Sequence, residues 1–166
     1  HVLALQGYAY GCVEQTISKA APMLIADALR AQYDIRFPGP PADAVRRAVD
    51  RVLGMQGADG GFSLWGGGVR SDPWVTAYAL DFLLQVDADA PATRRATRFL
   101  RRFFDGARKD AETREETGFA LGVLARAGAV NAAEARRYYA LTFPQLQFGF
   151  GQAQAASALA RLGAAD

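Results

Sequence analysis

From residue 12 onward, apolar side chains recur every three or four positions, the spacing that turns one face of an α-helix toward a core. No stretch alternates as a half-buried strand would. Ile17, Ala20, Ala21, Leu24 and Ala28 mark one face of a first helix. Pro22 predicts a kink in it, because proline removes a backbone N–H and crowds the preceding turn. Ala44, Val45, Ala48, Val52 and Met55 mark a second helix, entered through the breaker run Pro38-Gly39-Pro40-Pro41. A glycine-rich loop, GADGGFSLWGGGVRSDP, follows. Beyond it the pattern predicts helices over about Trp74 to Gln85, Ala92 to Phe104, Glu115 to Ala127, Ala132 to Leu141 and Gly151 to Leu162. The result is an all-α chain of seven helices without a sheet.

Three of these segments align without gaps: TAYALDFLLQVD from Thr76, TGFALGVLARAG from Thr117 and QAQAASALARLG from Gln152. Their starts lie 41 and 35 residues apart. Such a period belongs to helix-pair repeats, in which each hairpin buries its apolar face only against its neighbours. The copies are expected to form an inner layer, side by side, with Trp74, Tyr78, Phe82, Phe119 and Leu159 buried. Ala77, Ala79, Ala120, Ala155 and Ala158 are small enough to let these helices pack closely. Helix pairs of this length build an open solenoid or a closed α/α toroid. The Trp-Leu-Gly-Tyr pattern of tetratricopeptide arrays does not occur.

Composition narrows the function. A chain of 166 residues, 51% apolar and 22% charged, makes one domain with a core of its own. A formal net charge of +2 does not point to a nucleic-acid partner. No apolar run approaches the roughly 20 residues that cross a bilayer, so no membrane insertion is expected of this stretch. His1 to Leu5 lacks the basic start and the length of a signal peptide, and reads as if cut from a longer chain. One cysteine excludes an internal disulfide and a Cys-based zinc site, and one histidine leaves little for a metal. Neither a metal nor a cofactor is expected. Arg94, Arg95, Arg98, Arg101 and Arg102 crowd the fourth helix opposite Phe99, Leu100, Phe103 and Phe104, as a solvated outer face would, or less simply a surface for an acidic partner. Asp81, the one acid within an inner-type helix, is expected to be structural, held by a hydrogen bond across the hairpin.

The lone cysteine sits in GYAYGCVEQT, at the head of the first helix. Cys12 and Gln15, three residues apart, place their side chains on one side of the first turn. Free N–H groups at a helix start favour thiolate over thiol. A thiolate that attacks the glutamine amide expels ammonia and leaves an internal thioester with an electrophilic acyl carbon. Gly11 permits a tight entry that a Cβ would obstruct. Tyr8 and Tyr10 are placed to keep water off the bond, and Glu14 suits the helix dipole. The plainer alternative is a buried cysteine near an ordinary helix start, with Glu14 as a first-turn carboxylate.

YAYGCVEQT resembles the thioester motif of the alpha-2-macroglobulin and complement family, in particular of its bacterial members. In those a Tyr-x-Tyr-Gly-Cys-x-Glu-Gln-Thr string opens the thioester domain. MQGADGGFSLWGG followed by DPWVTAYALDFLLQ is similar to the second hairpin of that domain. The likeness is specific over residues 8–16 and 55–84 and weaker elsewhere. It implies an α/α toroid, incomplete here because a full family domain is nearly twice as long, so residues 1–166 are expected to be part of a thioester domain. It also implies that Cys12 and Gln15 are the bonded pair, that Tyr8 and Tyr10 shield the bond, and that Gly11 and Glu14 support it. The implied function is a one-shot covalent trap, an endopeptidase inhibitor rather than an enzyme. Target proteases attached through lysine and the neighbouring domains of a larger parent are the implied partners. The implied location is periplasmic or secreted, with a membrane-anchored lipoprotein as one form of the parent. In complement-like members a histidine takes over the acyl group; here the single histidine is His1, so amines are expected to attack directly.

Two other readings are open. Gln56-x-x-x-Gly60-Gly61-Phe62 also resembles repeats of terpenoid cyclases and prenyltransferase β-subunits, which share the toroid. Their zinc site and their Asp-x-Asp-Asp string find no match in this sequence. In that reading the loop is a turn anchored by Phe62 and Trp65. The second is an interaction scaffold whose helical surface docks partners without covalent chemistry.

Overall fold

Helix breakers set the element boundaries in the computed structural model, which describes residues 11–33, 37, 39–67, 70–107 and 113–164. The elements are α1 (Val13–Leu24), α2 (Ala26–Tyr33), α3 (Pro41–Leu53), α4 (Pro73–Val86), α5 (Pro91–Ala107), α6 (Arg114–Arg126), α7 (Ala132–Thr142), a 3₁₀ turn (Phe143–Gln145) and α8 (Gly149–Arg161). Among the described residues there is no strand, only isolated bridges that pair Phe62 with Gln56 and with Asp72. The chain is all-α, as its periodicity predicts.

The first predicted helix is two. Pro22 stays inside α1, and the chain leaves helical geometry at Ile25 (φ −111°, ψ 18°) before α2 begins. A proline has no N–H for the carbonyl one turn back, so the helix is weakened there and ends within a turn. Met55, expected on the next helix, lies beyond the end of α3 at Leu53. Pro41, Pro73 and Pro91 each open a helix, where the missing N–H would have had no partner.

The repeat inferred from sequence is present in space. Helix α4 packs on α6, and α6 on α8, while α1 lies against the other side of α4. The Trp74 and Phe119 rings meet tilted with centroids 4.9 Å apart, and Asp81 meets Arg126, each farther along its own helix, so α4 and α6 run parallel. Helix α3 covers α1, α5 covers α4 and α6, and α7 packs on α8. Ala77, Ala79, Ala120, Ala155 and Ala158 are all buried. At Gly118 an added Cβ would stand 3.1 Å from the Gly151 carbonyl oxygen, so α6 and α8 approach backbone to backbone. The last two copies also end alike. Gly128 (φ +65°) and Gly163 (φ +61°) take the left-handed conformation, and the following residues close a Schellman cap through Ala129 N–H to Leu124 O and Ala164 N–H to Leu159 O, both 2.8 Å.

Phe82, Phe119 and Leu159 are buried and Tyr78 is half-buried, but Trp74 is 40% exposed. It is the second residue of α4, where the layer ends, and its ring leans on Phe119 and Phe150 without being covered. Asp81 is structural, but its partner is not the adjacent hairpin helix. Its carboxylate accepts from Arg126 Nε at 2.6 Å, and Arg126 Nη1 donates on to Gln154 Oε1 at 3.3 Å, which links α4, α6 and α8. The arginines of α5 face outward, and several are tied to the chain itself. Arg101 joins Glu134 and Asp105 and donates to Ala129 O, Arg95 reaches Gln56, and Arg102 donates to Asp59 O. Exposed contacts of this kind contribute at most about 1 kcal/mol each.

Tyr138 of α7 is buried, and its hydroxyl donates to Arg114 O at 3.2 Å. Burial raises its pKa above the usual tyrosine value, Glu115 adds to the shift, and the neighbouring Thr117 hydroxyl opposes it. The folded chain therefore holds the phenolic proton to higher pH than the unfolded chain. This contribution is complete below the ordinary tyrosine pKa of about 10 and is lost as pH rises through the raised folded value. Tyr138→Phe is expected to flatten the alkaline limb of a stability–pH curve while leaving the neutral region near its present level, since Thr117 keeps its own bond to Arg114 O at 2.7 Å. Urea unfolding across pH 7 to 11.5 (roughly one and a half units past the ordinary value) checks this, and an unchanged alkaline slope refutes it.

Candidate functional site

Cys12 is the N-cap of α1, in extended conformation (φ −65°, ψ 175°) and 5% exposed. The two residues singled out from sequence meet in a reciprocal cap. Gln15 N–H points at Cys12 Sγ at 3.5 Å, and Cys12 N–H donates to Gln15 Oε1 at 3.3 Å. This is the capping-box arrangement with sulfur in place of the usual hydroxyl oxygen. The same device at α7, between Asn131 and Glu134, closes at 3.0 Å in both directions. Sulfur is a weak acceptor, so as a cap Cys12 is inferior to the serine or asparagine commonly found there.

Three parts of the chain converge on this turn. The Gly11 carbonyl accepts from Arg51 Nη2 at 2.9 Å and Nε at 3.2 Å, so the last turn of α3 clamps the entry to α1. Thr16 Oγ1 approaches the same oxygen at 3.4 Å from within α1. Val13 N–H donates to Leu64 O at 2.8 Å, which fastens the glycine-rich loop to the head of α1. That loop is in turn anchored by Phe62, fully buried, whose N–H donates to Thr76 Oγ1 at 2.8 Å and whose carbonyl accepts from Asp72 N–H at 2.8 Å. Trp65, the second anchor suggested by the sequence, is 67% exposed instead. Its neighbour Leu64 makes the tie to α1 through a backbone carbonyl, which leaves both side chains outside the core.

The remaining predicted residues divide. Gly11 is buried, and a Cβ there would stand 3.2 Å from Thr16 Oγ1 and 3.4 Å from Gln15 Cβ, a tight fit set by space rather than by φ. Glu14 is exposed in the first turn of α1, where the helix dipole favours a carboxylate. Gln15 is exposed overall. Tyr8 and Tyr10 lie outside the described residues. Arg51 and Leu64 carry no local sequence signal, because they reach the site from 40 and about 50 residues away through the fold alone. Thr16 lies within the GYAYGCVEQT string, one helical turn from Cys12, a spacing that could have suggested a role. Among the described residues no cluster of His, Cys, Asp and Glu could hold a metal ion, and no helix is long and apolar enough to cross a membrane.

No protein-family model matches the chain. Over 89 residues, 51% of the chain, it is 37% identical to an alpha-2-macroglobulin of Escherichia coli. Across 99% of its length it superposes on native Escherichia coli alpha-2-macroglobulin, spanning domain MG7 to the C-terminus, with a TM-score of 0.84 at 27% identity. These matches are to bacterial alpha-2-macroglobulins. A Salmonella alpha-2-macroglobulin, solved after reaction with methylamine, matches over the same 99% with a TM-score of 0.84 and 30% identity. The chain spans about 5% of the length of the curated alpha-2-macroglobulins it matches, and 28% and 12% of the two solved chains.

Proposed function

We propose that this chain is part of the thioester domain of a bacterial alpha-2-macroglobulin-like endopeptidase inhibitor, with Cys12 and Gln15 as the bonded pair. The observation that carries the reading is the reciprocal cap: within one helical turn the Cys12 sulfur faces the Gln15 backbone N–H while the Gln15 side-chain oxygen returns to the Cys12 N–H, at a position where sulfur is a poor structural choice. In the bond-forming step Sγ attacks Gln15 Cδ and the C–N bond breaks. The nitrogen leaves as ammonia with the thiol proton. Within the parent, proteolysis elsewhere in the chain exposes the bond, and a lysine amine of the protease attacks the acyl carbon. The C–S bond breaks, an amide forms through Gln15, and the amine proton passes to the thiolate. Each molecule acts once, as a trap. Helices α1, α4, α6 and α8 form the inner side of an arc that the rest of the parent closes into an α/α toroid, and Tyr8 and Tyr10 shield the bond. A periplasmic or secreted parent, membrane-anchored in its lipoprotein form, places the trap where foreign proteases arrive.

The test uses the full-length parent purified from its native compartment. An intact mass short by one ammonia, no titratable Cys12 thiol, and release of that thiol by methylamine are expected. A freely alkylated Cys12 with Gln15 unchanged sinks the assignment. With labelled methylamine and labelled glycerol present at equal concentration during activation by protease, methylamine is expected to dominate incorporation at Gln15. An amine needs no general base to attack a thioester, whereas a hydroxyl does. Predominant glycerol incorporation would show the preference for lysine amines to be wrong.

A further inference from the structure

The carbonyl clamped by Arg51 belongs to the peptide that carries the Cys12 N–H, and that N–H donates to Gln15 Oε1. From the geometry we infer that the Cys12 peptide N–H is the oxyanion donor of the thioester site and that Arg51 is a positioning residue that polarises this peptide. The inference rests on the thioester reading above.

When Sγ attacks Gln15 Cδ, the carbonyl π electrons move onto Oε1, and the oxygen becomes an oxyanion before ammonia departs. The same oxygen takes up the charge again when an amine attacks the finished thioester and the sulfur leaves. In both directions the charge forms on the atom that already faces the Cys12 N–H at 3.3 Å. A preorganised donor aimed where charge develops is the usual device for acyl transfer. One peptide N–H is a modest donor, and here its other end is loaded. The Gly11 oxygen takes two guanidinium N–H groups, at 2.9 and 3.2 Å, and lies 3.4 Å from the Thr16 hydroxyl. Pulling density toward that oxygen makes the amide nitrogen more positive and its hydrogen a stronger donor, because hydrogen bonds in series polarise one another. Arg51 hydrogen-bonds to the Gly11 carbonyl. Its influence passes through the Gly11–Cys12 peptide.

A merely structural Arg51 predicts the opposite sign. If the guanidinium only pinned the entry to α1, its loss would loosen the turn and admit amines, and the bond would open faster. If it polarises the peptide, its loss slows opening. The experiment compares full-length wild-type parent with Arg51→Met and Arg51→Lys, measuring the rate of methylamine opening by thiol release alongside the unfolding temperature. Wild-type protein without an ammonia loss would remove the thioester reading itself, independently of Arg51. With the bond present in wild type, Arg51→Met is expected to open roughly ten-fold more slowly, less than the hundred-fold or greater loss typical of deleting a direct oxyanion donor. Arg51→Lys, which keeps the charge with fewer aligned donors, is expected to fall between the two. Opening by Arg51→Met at an unchanged or faster rate overturns the inference. Should Arg51→Met fail to fold, Arg51→Lys decides alone: several-fold slower opening upholds the role, and a wild-type or faster rate removes it.

Discussion

Replacing Phe62 by alanine is expected to destabilise the fold by about 3–5 kcal/mol, the usual cost of deleting a buried phenyl ring. The ring is fully buried. Its backbone is held from both sides, by Thr76 Oγ1 at the N–H and by Asp72 N–H at the carbonyl, so the loop cannot simply slide to refill the hole. Against a typical total of about 5–15 kcal/mol, that is a large share. The effect should reach the site, because Leu64 O, two residues on, holds Val13 N–H at the head of α1. Urea unfolding of the chain of residues 1–166 should show a lower midpoint at a similar slope, and its free Cys12 thiol should be alkylated faster than in the same chain with Phe62. Trp65→Ala, three residues along and largely exposed, is the control, expected to stay within about 0.5 kcal/mol. Equal effects of the two substitutions would show that Phe62 is not the anchor.

The second large effect is on chemistry rather than stability. In the full-length parent, Cys12→Ser is expected to abolish covalent capture of protease and the response to methylamine; in the chain of residues 1–166 with Cys12 as a thiol, the same change leaves α1 as stable as before or more so by about a few tenths of a kcal/mol. The sign of the stability change follows from the cap. A serine oxygen accepts from the N3 N–H better than sulfur at 3.5 Å, and the Gln15 side chain keeps its bond to the residue 12 N–H. A hydroxyl, however, does not displace ammonia from an amide under these conditions, so no activated acyl group forms. Denaturing electrophoresis of protease-treated wild type and variant reads out capture, and thermal unfolding reads out the cap. A serine variant that still attaches protease covalently would place the reactive bond elsewhere.

Much of this was legible in the order of residues, because helical periodicity and helix ends are local properties. The apolar spacing, the opening prolines and the glycines after residues 127 and 162 place the helices to within a few residues. Three aligned copies with small residues at matching positions predict which helices are neighbours, since Ala and Gly permit close approach in any context. Cys12 and Gln15, three apart on one turn, needed no more than helix geometry to be brought together. Where local rules compete, sequence pattern loses resolution. Pro22 is followed by two more helical residues before α1 ends, and Trp74 carries a core residue's composition at a position the layer does not cover. Only the tertiary structure could pair Asp81 with Arg126, bring Leu64 O to Val13 N–H and close Arg51 on the Gly11 carbonyl. Those contacts join residues from 40 to about 50 positions apart, and their partners are fixed by how helices and the loop pack rather than by any spacing along the chain.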